Sequence, residues 1–186
     1  MLFNSLSFAL FLPIVFAIYW FVFRNKIKWQ NAFVLVASYI FYGWWDWRFL
    51  ILIFASSLVD FLVGKRIYNS VGKYRKRWLS VSLAVNLGML AFFKYFHFFV
   101  DSFIESFSWF GLQLNQPTLQ IILPVGISFY TFQTLSYSID IYRGQLKPAK
   151  EPVAFFAFVA FFPQLVAGPI ERASHLLPQF YQERKF

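Results

Sequence analysis

The sequence is poor in several residue types, and each shortage excludes a class of protein. None of its 186 residues is cysteine, which excludes disulfides, thiolate metal sites, iron–sulfur clusters and cysteine acyl-enzymes. Charged residues make up 13% of the chain, whereas an ordinary soluble domain has about 25%. Residues 1–23 carry no charge at all. A folded chain this short exposes a large fraction of its surface to the surroundings. With so few charged residues, that surface would be too apolar for water, so a soluble globular enzyme is excluded.

The sequence is instead rich in apolar and aromatic residues. Hydrophobic residues make up 59% and aromatic residues 24%, with 28 phenylalanines. Disordered proteins have the opposite composition, so disorder is excluded. A membrane-spanning helix needs roughly 20 residues, so the chain holds about six to eight spans at most. No alternating strand pattern is present, and the fold class predicted is all-α, a polytopic helical bundle in a lipid bilayer.

The apolar runs predict five full spans and one broken or re-entrant segment. The spans are placed at about residues 5–23, 29–45, 49–64, 78–96 and 121–141, and the broken segment at 152–170. Asp46-Trp47-Arg48 is interpreted as a tight polar turn between the second and third spans.

The net charge of +9 is concentrated in three connecting segments. Residues 24–28, 65–77 and 143–150 carry three, six and three Lys or Arg residues, and each is interpreted as a loop. Cytoplasmic loops of membrane proteins carry such an excess, so these segments are predicted to be cytoplasmic and the N-terminus extracytoplasmic. This explains the basic charge without nucleic acid, which is not expected as a partner.

The fifth span is unusually polar. On a helix, Ser128, Thr131, Thr134 and Ser138 share one stripe, and Gln133 and Asp140 lie on another face. A helix that is polar on two faces should be surrounded by protein or line a water-filled cavity. The alternative is that the hydroxyls only bond carbonyls of their own helix. Asp140 and Arg143, three residues apart, are expected to form a structural ion pair.

The last apolar segment contains Pro163, Gly168 and Pro169 within seven residues, which breaks any helix there. Non-helical backbone at membrane depth is tolerated only inside protein or beside water. A re-entrant segment that returns residues 171–186 to the cytoplasm is favoured over a sixth span that leaves them outside.

The two histidines could serve as general bases, but neither has a strong signal. His97 lies among aromatic residues near a span end and is interpreted as a packed or interfacial side chain, and His175 as a loop or capping residue. No metal site is predicted. Asp60, near the end of the third span, is expected to pair with Lys65 or Arg66 at the interface.

Several stretches resemble a known family along essentially the whole chain. The two long motifs are LPVGISFYTFQTLSYSIDIYRG (123–144) and FVAFFPQLVAGPIERASHLLPQF (158–180). SLSFALFLPIVFAIYW (5–20), ASYIFYGWWDWRFL (37–50) and LAFFKYFHFF (90–99) agree with them in order. Together they resemble the bacterial alginate O-acetyltransferase branch of the membrane-bound O-acyltransferases.

The resemblance implies a multi-pass inner-membrane enzyme. It would transfer an acyl group, expected to be acetyl, from a cytoplasmic thioester such as acetyl-CoA to hydroxyls of an extracytoplasmic polysaccharide such as alginate. A periplasmic polysaccharide O-acetyltransferase is the implied partner, and no bound cofactor is implied.

In this family the essential histidine lies in a later membrane segment, and neither His97 nor His175 matches it. Relatives carry asparagine at the position of His97, so that histidine departs from the pattern. The resemblance therefore implies that residues 1–186 are the N-terminal part of one acyltransferase domain and are inactive alone. Ser128, Thr131, Gln133, Asp140, Pro163, Gly168 and Pro169 are the residues expected to line an acyl tunnel or pocket.

The alternatives left open are a non-enzymatic multi-pass membrane subunit, a transporter fragment with polar residues along a substrate path, and a structural membrane protein. A Trp-His motif among further apolar segments encoded after codon 186 would favour the acyltransferase.

Overall fold

The computed structural model describes residues 5–109, 126–169 and 171–184, and within them every regular element is helical. The elements are α1 (Leu6–Ala17), a π-helical turn (Ile18–Val22), α2 (Ile27–Gly43), α3 (Arg48–Asn69), α4 (Lys73–Ser108), α5 (Ile127–Tyr142), α6 (Pro152–Val159), α7 (Phe162–Ala167), α8 (Ala173–Leu176) and a 3-10 helix (Leu177–Tyr181). This confirms the all-α prediction. The first residues of the predicted fifth span, 121–125, lie outside the described ranges.

The interpretation of residues 65–77 as a loop was wrong, because helices continue through most of this charged segment. The basic segment 65–77 is mostly helical: α3 ends at Asn69, α4 begins at Lys73, and only residues 70–72 connect them. Lys and Arg are good helix formers, and near the end of α3 their charge complements the helix dipole. At the other end, α4 continues twelve residues past the predicted limit of 96 to Ser108.

One helical stretch among the described residues, Lys73–Phe96, is both long enough and apolar enough to cross a membrane by length and composition. Leu6–Val22 and Pro152–Leu165 are apolar but shorter. The five full spans therefore stay a prediction. At ~1.5 Å per residue, the 36 residues of α4 extend about 54 Å, well beyond a hydrocarbon core of about 30 Å.

The polar turn predicted at residues 46–48 is confirmed. Asp46 Oδ1 accepts hydrogen bonds from the backbone N–H of Arg48 at 2.9 Å and from Arg48 Nε at 3.1 Å. The backbone hydrogen bond, with the guanidinium beside it, holds the pKa of Asp46 below its ordinary value. The turn lies where the chain passes from α2 to α3, and it gives a hydrogen-bond acceptor to a backbone N–H in the first turn of α3, which has no partner within the helix.

The core of the bundle is built around α6, a short helix whose residues Ala154–Val159 are all buried. Pro152 lies in its first turn, where the missing N–H has no cost. The Phe155 ring packs against Tyr137 of α5 at 4.5 Å and Phe61 of α3 at 5.7 Å, centroid to centroid. By contrast, α1 has no buried residue and packs on the outside of the bundle.

The segment after α5 enters the bundle and returns to the end it came from. It starts beside the first turn of α2, where Lys28 Nζ and Glu151 Oε1 are 3.1 Å apart. Its deepest point lies at the opposite end, because the Leu165 carbonyl is 3.1 Å from where a Cβ on Gly126 would stand.

The return path is fixed by contacts on α5 and α2. Ala173 N donates to Ser136 Oγ midway along α5 at 3.0 Å. Asn31 Nδ2, in the first turns of α2, then donates to the Phe180 carbonyl at 2.8 Å. Residues 152–169 therefore enter the bundle and turn back within it, and we call them the re-entrant segment; re-entry into a membrane stays a prediction. Phe180, in the chain that follows, lies at the end of the bundle where α2 begins.

Candidate functional site

The polar helix α5 is enclosed by protein along most of its length. Thr131, Gln133, Thr134, Ser138 and Asp140 are each at most 3% exposed, and Ser128 is half-buried. The helix packs against α3, α4 and the re-entrant segment. This confirms the expectation that a helix with polar residues on two faces is surrounded by protein.

One face of α5 joins a buried network that we call the three-helix polar cluster. Each helix contributes two residues spaced by four, so that both lie on one face: Ser56 and Asp60 from α3, Ser82 and Asn86 from α4, Thr134 and Ser138 from α5. All six side chains are fully buried.

The cluster is centred on the Asp60 carboxyl group. Asp60 Oδ1 accepts from Ser82 Oγ at 2.5 Å and from Ser138 Oγ at 3.1 Å, and Asp60 Oδ2 accepts from Asn86 Nδ2 at 2.7 Å. Asn86 Oδ1 in turn accepts from Ser56 Oγ at 3.1 Å and Thr134 Oγ1 at 3.0 Å. Since these polar atoms satisfy one another, the cluster holds α3, α4 and α5 together in an apolar interior.

The expected interfacial ion pair of Asp60 with Lys65 or Arg66 was wrong. Asp60 lies on the inner face of α3, whereas Lys65 Nζ stands over the Phe61 ring, 4.1 Å from its centroid. The sequence did contain a signal for the correct placement. Three polar pairs at a spacing of four, each inside an apolar run, predict polar faces that can meet.

The opposite face of α5 supports the re-entrant segment through Gln133. Gln133 Nε2 donates to the Phe158 carbonyl at 3.0 Å and to Gln164 Oε1 at 3.2 Å. Gln164 Nε2 in turn donates a hydrogen bond to the Pro169 carbonyl at 3.2 Å. These bonds satisfy backbone oxygens that the broken helix cannot pair by itself.

Two serines satisfy backbone N–H groups of the same segment. Ser38 Oγ of α2 accepts from Phe162 N at 3.3 Å, at the start of α7, and Ser136 Oγ accepts from Ala173 N at the start of α8. The tunnel residues proposed from the sequence are therefore brought together in part. Gln133 is linked through Gln164 to Pro169, while Pro163 lies in the first turn of α7 and is exposed.

Gly168 is needed where the re-entrant segment turns back. A Cβ on this residue would stand 2.8 Å from Gln164 Cα and 3.1 Å from the Gln164 carbonyl oxygen. The turn is therefore closed by direct backbone contact, which only glycine permits.

Buried hydroxyl groups without a hydrogen-bond partner among the described residues occur at the end of α2 and in the first turns of α5, the region that the deep end of this segment approaches. The hydroxyl groups of Tyr42, Tyr130 and Thr131 lack such a partner, although all three residues are buried. The Tyr42 hydroxyl is 2.8 Å from where a Cβ on Gly126 would stand, next to Leu165. Buried hydroxyl groups of this kind can donate to a carbonyl or hydroxyl oxygen brought into the site. Sequence reasoning missed both tyrosines because aromatic residues are abundant everywhere in the chain.

The expected ion pair of Asp140 with Arg143 is not formed. Asp140 is buried and its Oδ2 has no partner among the described residues, while Arg143 is exposed. The end of α5 is capped by a different cation, because Arg75 Nη2 of α4 donates to the Ile141 carbonyl at 2.7 Å. A cation at this position complements the negative end of the helix dipole.

His175 is not placed as a buried base. His175 of α8 is exposed, with Nδ1 3.9 Å from Glu171 Oε2, and the side chain of His97 lies outside the described set. Among the described residues no group of three His, Asp or Glu side chains could hold a metal ion.

Comparison with known proteins gives relatives over nearly the whole chain. It is 41% identical over 183 residues to the probable alginate O-acetylase AlgI of Pseudomonas aeruginosa, covering 97% of this chain and 34% of the relative. It is 40% identical over 184 residues to the same-named protein of Azotobacter vinelandii, covering 97% and 36%. The peptidoglycan O-acetyltransferase of Helicobacter pylori is 32% identical over 208 aligned residues, with 97% and 38% covered.

These relatives are all named as enzymes that attach acetyl groups to oxygen. No family model matches the chain, and no solved structure matches it. The chain is therefore similar, over nearly its whole length, to part of proteins named as O-acetyltransferases. It spans about a third of the length of the curated relatives it matches.

Proposed function

We propose that this chain forms part of an O-acyltransferase of the bacterial inner membrane. The enzyme would move an acetyl group from a cytoplasmic acyl thioester, such as acetyl-CoA, to hydroxyls of an extracytoplasmic polysaccharide such as alginate. The observation that carries the proposal is the similarity, over 97% of the chain, to proteins named as alginate and peptidoglycan O-acetyltransferases. A periplasmic polysaccharide O-acetyltransferase is the proposed partner.

The contribution we assign to this chain is one wall of the path that the acetyl group follows. The re-entrant segment provides non-helical backbone inside the bundle, which is stable only within protein or beside water. Gln133 fixes its position, and the hydroxyls of Tyr42, Tyr130 and Thr131 lie in the region that its deep end approaches. There they could donate hydrogen bonds to the oxygen of an acyl group or of an acceptor.

The chemical step requires a general base. We assign it to the histidine that the family carries in another membrane segment. That histidine would take the proton of the acceptor hydroxyl while the new ester C–O bond forms and the thioester C–S bond breaks. The departing thiolate then takes up the proton. The helices described above keep water from the thioester.

The proposed orientation places the basic segments in the cytoplasm. Its support is that they meet at one end of the bundle: Arg75 contacts the end of α5, and Lys28 contacts Glu151. At that end Arg184 also donates to the Tyr19 hydroxyl at 2.6 Å and to Asn31 Oδ1 at 2.8 Å. Residues 171–184 would then be cytoplasmic as well.

A reporter fused after Val71 tests the orientation. The junction between α3 and α4 is surrounded by Lys and Arg residues, which resist export across the membrane. Green fluorescent protein placed there is expected to fluoresce, and alkaline phosphatase placed there to be inactive. A reporter fused after Trp47, at the opposite end of the bundle, serves as the matched control and should give the reverse result. Active phosphatase after Val71 would contradict the proposed orientation.

The function is tested on the polysaccharide of the bacterium that carries the gene. Replacing Gln133 by leucine in the chromosomal gene removes the two hydrogen bonds to the re-entrant segment and keeps the side-chain size. We expect polysaccharide-bound O-acetyl to fall more than about tenfold, because misplacement by ~1 Å costs that much in a preorganised site. Ester-linked acetate released by mild alkali is the measurement, with the amount of chain in the membrane fraction followed by immunoblot.

Gln179→Leu is the matched control, since Gln179 is an exposed glutamine far from the deep end of the segment. It should leave the acetate content unchanged. An acetate content that survives deletion of the whole gene would refute the acyltransferase proposal and favour a non-enzymatic membrane subunit. Acetyl transfer by the purified 186-residue chain alone would refute the assignment of the base to another segment.

A further inference from the structure

A surface cavity of about 410 Å³ lies at the basic end of the bundle, between the α5–α6 connection and the 3-10 helix. Its floor is apolar and is formed by Leu146, Ala149 and Leu177. Its polar residues are Lys147, Lys150, Tyr181 and Gln182. No acidic residue lines it, so the cavity combines an apolar floor with two positive charges.

The two lysines have no carboxylate partner within ion-pair distance among the described residues. Both are exposed, and the ion pairs in this part of the chain involve other groups. The nearest acidic residue in sequence, Glu151, is paired with Lys28 at 3.1 Å. The positive charge of Lys147 and Lys150 is therefore available to a ligand.

The wall that carries the lysines is held in place by two tyrosines. The buried Tyr137 hydroxyl accepts a hydrogen bond from Ala149 N at 3.0 Å. Tyr181 lies beside the backbone of Glu151 and Lys150: partial burial raises the pKa of its phenol above the ordinary value, and these backbone groups oppose the rise. A segment anchored on both sides needs little ordering when a ligand binds, which favours affinity.

We propose that this cavity binds a phosphate ester that carries an apolar portion. Lysine ammonium groups bind phosphate as point charges, and the floor of Leu146, Ala149 and Leu177 can cover the adjoining apolar group. Two sources share this chemistry: the head group of an anionic phospholipid, and a soluble phosphorylated carrier such as coenzyme A. Basic pockets at the cytoplasmic end of membrane helices suit the first source. The proposal does not rest on acetyl transfer, since binding alone defines it.

The test measures binding to the whole chain, purified in a neutral detergent. Phosphatidylglycerol binding is followed by native mass spectrometry against phosphatidylcholine, and coenzyme A binding by isothermal titration. In the double variant Lys147→Gln, Lys150→Gln we expect the affinity for the bound probe to fall about 25-fold, which is about fivefold for each lysine. The matched control, Lys73→Gln with Lys76→Gln, makes the same change in net charge at two exposed lysines of the same end and should change affinity less than about twofold.

Each result has one meaning for the proposal. Loss of phosphatidylglycerol binding alone identifies a lipid head group, loss of coenzyme A binding alone identifies the soluble carrier, and loss of both identifies any phosphate ester. Binding of neither probe by the unaltered chain, or an equal loss in the control variant, overturns it. Should the double variant fail to fold, Gln182→Glu places a negative charge at the rim on an exposed residue, and it should also weaken binding.

Discussion

Replacing Asp60 by alanine is expected to lower the free energy of unfolding by about 3 kcal/mol or more. The physical reason is that three donors, Ser82 Oγ, Asn86 Nδ2 and Ser138 Oγ, lose their acceptor at a fully buried position. The loss should be seen as an earlier midpoint when the purified chain is unfolded by sodium dodecyl sulfate in mixed micelles.

Two variants make this prediction specific. Asp60→Asn keeps the shape and one acceptor oxygen, but its new amide group faces the amide donor of Asn86, so an intermediate loss is expected. Asp101→Ala removes an exposed carboxylate from α4 and should have little effect. A D60A chain as stable as the D101A chain would show that the three-helix polar cluster does not hold the bundle together.

Replacing Gly126 by alanine has the second large expected effect, a loss of about 2 to 5 kcal/mol. Gly126 has φ +79°, in the left-handed region where a Cβ is strained. The new Cβ would also stand 2.8 Å from the Tyr42 hydroxyl and 3.1 Å from the Leu165 carbonyl. The substitution should therefore displace the deep end of the re-entrant segment as well as destabilise the chain.

The chain contains a control that separates backbone strain from close contact. Gly144 has nearly the same conformation, φ +76°, and a Cβ there would meet nothing within 4 Å. Gly144→Ala should cost only the strain, about 1 to 2 kcal/mol. Adding Tyr42→Phe to G126A removes the closest atom and should recover part of the loss, a coupling that a double-mutant cycle measures. Equal losses for G126A and G144A would mean that the close approach contributes nothing.

For the polar residues of the fifth span, the sequence predicted their burial but not their partners. Polarity on two faces correctly predicted that α5 is enclosed, because polar groups avoid lipid whatever the rest of the chain does. The partners could not be predicted. Asp140 has an obvious local partner in Arg143, yet that arginine is exposed and Arg75 of α4 caps the helix instead.

For the re-entrant segment too, the sequence predicted the local backbone feature but not its partners. Pro163, Gly168 and Pro169 predicted a break, since proline lacks an N–H and blocks the helix. They did not reveal that Gln133, Ser38 and Ser136 would satisfy the freed backbone groups. These side chains are contributed by α2 and α5, and only packing brings them to the break.

The sequence by itself determined the helical class, the positions of most helices, the break in the last segment and, through its motifs, the resemblance to acyltransferases. Local pattern is sufficient for these features, because burial of apolar runs and the geometry of proline and glycine act along the chain. The tertiary structure decided which buried groups meet: Asp60 with Ser82, Asn86 and Ser138, and Tyr42 with the close approach at Gly126. Hydrogen bonding in an apolar interior depends on distances of a few tenths of an ångström between different helices, and no local pattern records them.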